Sequence, residues 1–364
     1  MHQSSSLSLP LVDETDLALV HALQIAPRAS WTAVGQALGI DPMTAARRWA
    51  RLIESGCAWV TCYPADADLH EMSSAHIQVD CAAGAASRVG RTLASSVHAV
   101  TVQHTTGGSG LLLTVLMPKL SDLSRYLLEY LGEVPGVRAT RTYVSTRLFA
   151  EASHWELRTL DAEQQAVLAP HRPARTPLAS ASRPMTDLDR ALGTVLSEDG
   201  RMTATDLARC LSVSESTVTR RLRRLLSDGQ LVLRAEVAQP WSGVPVTLNL
   251  WALVRPDRLE QAGTALRNLP GLRLCAGLTG GPANLRIEVW LHSVAEASRL
   301  EAEIMRREPS LQIVDRSLAL RFIKRMGRLL SPDGRGVGTV PLHLWSDPVP
   351  PTDLDPEPAT SLDD

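Results

Sequence analysis

The chain has 364 residues, of which 44% are hydrophobic and 21% are charged, and its formal net charge is −2. This length and composition indicate a globular protein with room for two to four hydrophobic cores. No apolar run approaches the roughly 18 residues that a membrane helix needs, and residues 1–16 lack the basic start and apolar core of a signal peptide. We therefore expect a cytoplasmic protein.

The five cysteines are odd in number and scattered, at positions 57, 62, 81, 210 and 275. This pattern argues against a disulfide framework and against a metal site with paired ligands, so we expect free thiols, no metal and no cofactor. The net charge does not by itself favour a nucleic-acid partner. However, acidic residues crowd the segment 331–364, while arginines cluster in a few helical stretches, and the location of charge matters more than its sum.

The sequence repeats itself at an offset of 173 residues, without a gap over the first part of the repeat. Asp16 aligns with Asp189, and the aligned pairs that follow include Leu38 with Leu211, Arg47 with Arg220, Arg48 with Arg221, Leu52 with Leu225 and Gly56 with Gly229. One inserted residue near a glycine loop changes the offset to 174. The repeat predicts two units, over residues 11–150 and 185–324, each a helix-turn-helix module followed by an α+β sensor domain.

The first helix-turn-helix module is predicted over residues 11–60. Asp41 is the expected N-cap of its third helix, and Trp49 points inward at helical spacing. The outward face of this helix carries the residues that we expect to contact DNA: Thr44, Arg47, Arg48 and Arg51.

The first sensor domain is predicted over residues 74–150 as strand, helix, strand, strand, helix, strand. This βαββαβ order is that of a ferredoxin-like fold, in which an antiparallel sheet carries helices on one face. The other face must be buried, so two such sheets should pair, either within the chain or between chains. We expect a homo-oligomer that forms through these sheets. Residues 151–184 are predicted as one helix from Trp155 and a linker rich in Pro, Ala and Ser.

The second module, residues 185–233, has a third helix that Ser214 caps and Gly229 ends. Val218, Leu222 and Leu225 point inward, and the outward residues expected to bind DNA are Ser214, Ser216, Thr217, Arg220, Arg221, Arg223 and Arg224. A helix fits the major groove, where arginine donates two hydrogen bonds to guanine. The alternative is a solvated helix face, but two aligned copies favour double-stranded DNA as the partner, with the more basic second module binding more strongly.

Each module is followed by an extended segment, from Cys57 and from Gln230, that would form a short wing or a connector. The second sensor domain, residues 245–325, repeats the βαββαβ order. The overall prediction is an α+β protein in which two winged helix-turn-helix domains alternate with two ferredoxin-like domains. Residues 331–364, acidic and rich in proline, are predicted to be disordered.

A module of the form LSxSxxTVxRRLRRLxxxG, joined to a βαββαβ domain with a TG loop between its second and third strands, resembles the Lrp/AsnC regulators. The resemblance covers nearly the whole chain, twice. It implies that the helix-turn-helix modules bind DNA. It also implies that the α+β domains, called RAM domains, associate with one another and bind amino acids or related metabolites near the TG loop.

The glycine loops carry the predicted effector contacts, which are Thr106, Gly107, Gly108, Gly110, Thr279, Gly280, Gly281 and Asn284. The family usually has an acidic residue three positions after the loop glycine, where this chain has Gly110 and Asn284. An ordinary amino-acid effector is therefore not expected. The alternative is that these glycines only make tight turns.

The sirohaem decarboxylases share the fold and use histidines and arginines for catalysis, so an enzyme of that type is the alternative function. The candidate histidines are His76, His98, His104 and His292. None of them matches between the two copies, and no nucleophile elbow, phosphate loop or metal-ligand spacing is present. We therefore expect a regulator and not an enzyme.

Overall fold

The computed structural model describes residues 12–64, 72–152, 155–173 and 184–348. The first unit and the segment after it contain helices α1 (Glu14–Ile25), α2 (Trp31–Leu38) and α3 (Pro42–Glu54), strands β1 (Ala58–Pro64) and β2 (Ser73–Cys81), α4 (Ala86–Ala94), β3 (Ala99–Thr105), β4 (Leu111–Met117), α5 (Leu120–Arg125), β5 (Val137–Ala150) and α6 (Ala162–Leu168). Helix α5 continues as a π-helical turn over Tyr126–Leu131.

The second unit contains the same kinds of elements in the same order. They are α7 (Asp187–Glu198), α8 (Ala204–Leu211), α9 (Glu215–Ser227), β6 (Leu231–Val237), β7 (Val246–Leu253), α10 (Leu259–Leu266), β8 (Leu272–Thr279), β9 (Leu285–Leu291), α11 (Ala297–Arg307) and β10 (Gln312–Arg325), followed by β11 (Arg328–Leu330) and β12 (Gly336–Thr339).

Side-chain caps begin the helices at the residues that the sequence predicted. The carboxylate of Asp41 accepts hydrogen bonds from backbone N–H groups at the start of α3, and Ser214 does the same at the start of α9. The preceding turns pass through Gly39 at φ 66° and through Ser212 at φ 54°. Both turns are left-handed, so the two modules bend their chain in the same way before the third helix.

Strands β1 and β6, predicted as wings or connectors, pair with each other. They run antiparallel from Ala58 opposite Val237 to Pro64 opposite Leu231. Buried side chains from both modules form one continuous hydrophobic core, which includes Leu23, Leu52, Leu196 and Leu225. The two helix-turn-helix modules are therefore one folded body, joined by this two-stranded ribbon.

The strands of each sensor domain have the ferredoxin-like order, β3-β4-β2-β5 in the first domain and β8-β9-β7-β10 in the second. The 14-residue strands β5 and β10 extend beyond their own sheets, so that β5 also pairs with β8 and β10 also pairs with β3. These pairings close the two sheets into a ring of eight strands. Closure leaves none of the eight strands with an unpaired edge.

Alternate residues of the strands contact the helices or the interior of the ring. Leu111 and Leu113 of β4 pack with α4, while Leu112 packs with Tyr143 and Trp251 of other strands. The sheets that were expected to drive a homo-oligomer are thus paired within one chain. Of the two alternatives that the sequence left open, the structure shows pairing within the chain. This pairing does not itself require a second copy, and formation of a homo-oligomer stays a prediction.

Two expectations from the sequence are corrected. The helix expected from Trp155 is α6 alone, which starts at the Asp161 cap, because the backbone N–H groups of Thr159 and Leu160 donate to the ring of His21 instead of continuing a helix. The tail is ordered through residue 348, with Leu342 and Leu344 buried, and residues 349–364 lie outside the described part. No described helix is long and apolar enough to cross a bilayer.

Candidate functional site

Helix α9 presents two faces, as its residue spacing predicted. Val218, Leu222 and Leu225 are buried against α7 and α8 in the shared core. Arg220 and Arg223 are exposed, as are Ser214 and Ser216, while Thr217 is half-buried. Within the described residues, Arg220 and Arg223 form no ion pair. Their guanidinium groups are therefore free to meet a phosphate or a base edge.

The other two arginines of α9 turn back toward α7. Arg221 Nη1 lies 3.0 Å from Asp189 Oδ1, and Arg224 Nη2 lies 2.7 Å from Asp189 Oδ2. Burial acts to raise the pKa of Asp189, but hydrogen bonds from Thr186 and from the two arginines outweigh it and hold the pKa below its usual 3.8. The face expected to contact DNA is thus divided. Arg221 and Arg224 are partly exposed, and they also hold the helix in place.

Helix α3 repeats this arrangement. Arg48 Nη1 lies 2.9 Å from the buried Asp16, and Arg51 pairs with the same carboxylate. Arg47 is exposed and, among the described residues, has no ion-pair partner, while Thr44 is half-buried. The first module therefore offers one unpaired arginine on its third helix where the second offers two, which is consistent with the predicted difference in basicity.

A reciprocal arginine clamp joins the two modules, and the sequence reading missed it. Arg28 donates from Nη1 to the Gly200 carbonyl (2.6 Å) and from Nη2 to the Met202 carbonyl (2.8 Å). Arg201, its counterpart at the 173-residue offset, donates to the carbonyls of Pro27 (2.6 Å) and Ala29 (2.9 Å). The alignment of Arg28 with Arg201 was the available signal, but nothing in the sequence showed that each arginine reaches the other module.

The glycine loops lie at the junction of the two sensor domains. Thr106 exchanges hydrogen bonds with the backbone of Leu318 on β10, and Gly107 has a φ of 91°. The space beside residues 105–109, which include Gly108, is about 10 Å³, enough for about one water molecule. Gly110 packs near Ala86. This first loop makes a tight turn and encloses no effector-sized space.

The second loop is packed against the first unit. A Cβ on Gly280 would lie 2.9 Å from the Thr142 carbonyl oxygen, and one on Gly281 would lie 2.3 Å from the Tyr143 ring. Thr279 at its start is exposed. The Asn284 amide donates to the Val254 carbonyl (2.7 Å) and its oxygen accepts from the Val254 N–H (2.9 Å). Close packing explains the glycines, and Asn284 bridges two backbone groups where the sequence suggested an effector contact.

A cavity of about 160 Å³ lies between the ribbon and one end of the strand ring. Its lining includes four buried arginines from the second unit: Arg234, Arg273, Arg286 and Arg325. Glu236, itself buried, pairs with Arg234, Arg273 and Arg325. The Trp290 ring lies 3.9 Å from the Arg273 guanidinium carbon and 4.4 Å from that of Arg325, so the three side chains stack.

The fourth arginine, Arg286, determines the tautomer and the charge of the His76 ring. Its Nη1 lies 2.7 Å from His76 Nδ1, and because a guanidinium can only donate, Nδ1 must accept. The remaining proton is then on Nε2, 3.4 Å from the Ser145 hydroxyl. Burial and the charge of Arg286 hold the pKa of His76 well below 6.5, so the ring is neutral. Arg286 Nη2 also donates to Asn249 and Glu288.

The sequence reading found His76 but none of the four arginines. They are far apart in sequence, and no motif links them, because they meet only where strand β6 of the ribbon lies against β8, β9 and β10 of the ring. A usable signal was the comparison of the two copies. The residues of the first unit that align with the arginines are Thr61, Val100, Leu112 and Glu151.

The other histidines are not in this cavity. His98 Nε2 lies 3.0 Å from the Ser346 carbonyl, His104 is half-buried on β3, and His292 pairs with Glu296 on the surface. All five cysteines are free thiols. Among the described residues, no cluster of three His, Cys, Asp or Glu side chains has the arrangement of a metal site.

Comparison with known proteins places these domains in a family. A family model of the AsnC-type helix-turn-helix domain matches residues 12–53 and 185–226, and one of the Lrp/AsnC ligand binding domain matches residues 74–154. The leucine-responsive regulatory protein of Escherichia coli K12 is 26% identical over 161 residues, 42% of this chain and 96% of that protein. An uncharacterized HTH-type transcriptional regulator of Pyrococcus abyssi is 26% identical over 144 residues, 39% of this chain and 90% of that protein.

The chain is also similar along most of its length to solved structures of another protein. The crystal structure of the siroheme decarboxylase NirDL, in complex with an iron-uroporphyrin III analogue, aligns over 91% of this chain and 96% of that one, with a TM-score of 0.56 and 16% identity. At that identity the likeness shows a shared fold. The chain thus contains two AsnC-type helix-turn-helix domains and an Lrp/AsnC ligand binding domain, which are the domains of the Lrp/AsnC regulators.

Proposed function

We propose that this protein is a sequence-specific DNA-binding transcription regulator in which one chain supplies the two DNA-reading modules that a symmetric dimer would supply. The observation that carries the proposal is the pairing of β1 with β6, together with the shared core and the arginine clamp between the modules. A duplication of one ancestral unit accounts for the repeated order of elements. The modules then have a fixed separation, as recognition of two half-sites requires.

The free charges on the third helices support this function. Arg47, Arg220 and Arg223 are exposed and, within the described residues, make no ion pair, while Arg48, Arg51, Arg221 and Arg224 are anchored by buried aspartates and keep part of their surface in solvent. The anchored arginines are held in place to contact phosphates, and the unpaired arginines can reach base edges. We expect the second module to contribute more of the binding energy.

The test is selection of duplex DNA from a random pool by the full chain, followed by anisotropy titrations at several salt concentrations. The Arg220→Ala/Arg223→Ala variant should lose affinity, and its slope of log K against log salt should shrink by roughly 0.9 for each phosphate that the variant no longer neutralises. Arg306→Ala, which removes an exposed arginine of α11 far along the chain from the modules, is the matched control and should bind like wild type. Failure to enrich any sequence, or an unchanged slope in the double variant, contradicts the proposal.

A second candidate function is a tetrapyrrole decarboxylase of the NirDL kind, which the buried arginines and His76 of the cavity favour. Two observations weigh against it. His76 accepts from Arg286 and its pKa is lowered, so it is a poor proton donor, and the cavity is small for a macrocycle. Absorbance titration with iron-uroporphyrin III tests it. A shifted Soret band that is lost in Arg286→Met would support the enzyme, and an unchanged spectrum would exclude this binding.

A further inference from the structure

Residues of both units line the four-arginine cavity, but its arginines come from one unit alone. Although the two units fold alike, Arg234, Arg273, Arg286 and Arg325 all come from the second, and the aligned positions of the first hold Thr61, Val100, Leu112 and Glu151. Packing alone would not require four guanidinium groups in one of two similarly folded units. The asymmetry therefore points to one ligand for each chain.

The charges around the cavity do not balance. Arg234, Arg273, Arg286 and Arg325 face the carboxylates of Glu151, Glu236 and Glu288, since His76 is neutral. The excess is one positive charge. Within the described residues the buried Nε of Arg286 has no hydrogen-bond partner. Burying more guanidinium groups than carboxylates in one cluster is costly, and a bound anion would offset that cost.

The rest of the lining sets the shape of the ligand. It is mainly apolar, with Met72, Val100, Leu116, Leu148, Phe322 and Met326. The volume of about 160 Å³ is close to that of a cavity of about 150 Å³ that is known to hold benzene. The hydroxyls of Ser74, Thr114 and Ser145 lie beside His76 and can hydrogen-bond a carboxylate.

We infer that this cavity binds a small organic monocarboxylate with an apolar body about the size of a benzene ring. Its carboxylate offsets the excess positive charge of the four-arginine cluster, and its body contacts the apolar side chains. The site is distinct from the first glycine loop, beside which the space is about 10 Å³. This inference goes beyond DNA binding and does not depend on it, because ligand binding is measured on the free protein.

Ligand binding is tested by thermal shift and calorimetry on the full chain. The panel is phenylacetate, indole-3-acetate, 4-hydroxybenzoate and hexanoate, each with its uncharged amide as a matched probe. At least one carboxylate should raise Tm by an amount that grows with the logarithm of its concentration, and its amide should bind at least tenfold more weakly. If no carboxylate of the panel binds, or if an amide binds equally well, the inference is wrong.

Two variants locate the site. Leu116→Trp fills the cavity from a partly buried position, and Arg286→Met removes the excess charge. Each should abolish binding, and circular dichroism shows which variants remain folded. Arg306→Ala should bind like wild type. A folded Leu116→Trp variant that still binds the carboxylate overturns the assignment. Binding of iron-uroporphyrin III that Leu116→Trp abolishes would also overturn it, because the site would then accept a macrocycle.

Discussion

The arginine clamp between the modules gives the sharpest stability prediction. Replacing Arg28 or Arg201 with alanine removes two charge-assisted hydrogen bonds and leaves two backbone carbonyls without those donors. Hydrogen bonds to charged groups contribute about 1.5–3 kcal/mol each, and part of this gain is offset by the cost of burying the guanidinium. We expect each single variant to lose about 2–4 kcal/mol of unfolding free energy.

Arg201 makes an additional contact with an aromatic ring, and the guanidinium charges of Arg28 and Arg201 repel each other. Arg201 also stacks on the Trp31 ring at 4.2 Å, so Arg201→Ala should be the more damaging variant. Burial and then the charge of Arg28 lower the pKa of Arg201 to about 10, so both side chains stay charged at neutral pH. Since each single variant relieves that repulsion, the double variant should lose more than the sum of the two singles.

Urea denaturation followed by circular dichroism measures these losses, with Arg306→Ala as the surface control. That arginine is 73% exposed, and its loss should change stability by less than about 1 kcal/mol. The same variants should lose preference for a duplex with two half-sites over one with a single half-site. A double variant that unfolds within about 0.5 kcal/mol of wild type would show that the clamp does not join the modules.

Three further predictions follow from buried groups. Asp189→Asn should lower the free energy of unfolding by about 2 kcal/mol, because Arg221 and Arg224 lose their charged partner. Since the pKa of Asp189 is depressed in the folded state, the stability difference between wild type and variant should be full at pH 7 and should fade below pH 3.8. Tm values measured across pH would show this. Burial lowers the pKa of Lys324 from 10.5 to about 7. Between these two pH values the unfolded chain binds more protons than the folded chain, so the stability of wild type should increase as pH rises. A Tm difference between Lys324→Met and wild type that stays constant from pH 7 to pH 10 would refute this. Leu344→Ala should cost about 2–5 kcal/mol in urea denaturation, whereas a disordered tail would leave stability unchanged.

Local patterns in the sequence predicted the secondary structure well. Caps such as Asp41 and Ser214 and the inward spacing of Val218, Leu222 and Leu225 depend on residues within a few turns of one another. The repeat then predicted two modules and two sensor domains. The tail was missed because Leu342, Leu344 and Trp345 are isolated apolar anchors in a proline-rich segment, and their burial depends on surfaces from distant parts of the chain.

What the sequence could not show was how side chains from distant elements meet. Arg221 looked free because helical spacing alone does not reveal that Asp189, 32 residues earlier, lies beneath it. The glycine loops drew attention as a motif, yet the space that could hold a ligand is lined by arginines from four separate strands. Pairing of β1 with β6 and closure of the ring create both the module pair and the cavity.

The central claim is that one chain reads two half-sites with two modules. Hydroxyl-radical footprinting of a selected duplex, at a measured ratio of one chain to one duplex, tests it most directly. Wild type should protect two half-sites about 34 Å apart or a multiple of that distance. Arg47→Ala should weaken protection of one half-site, and Arg220→Ala/Arg223→Ala should weaken protection of the other. Protection of a single half-site by each chain, or equal loss at both half-sites in either variant, would contradict the account.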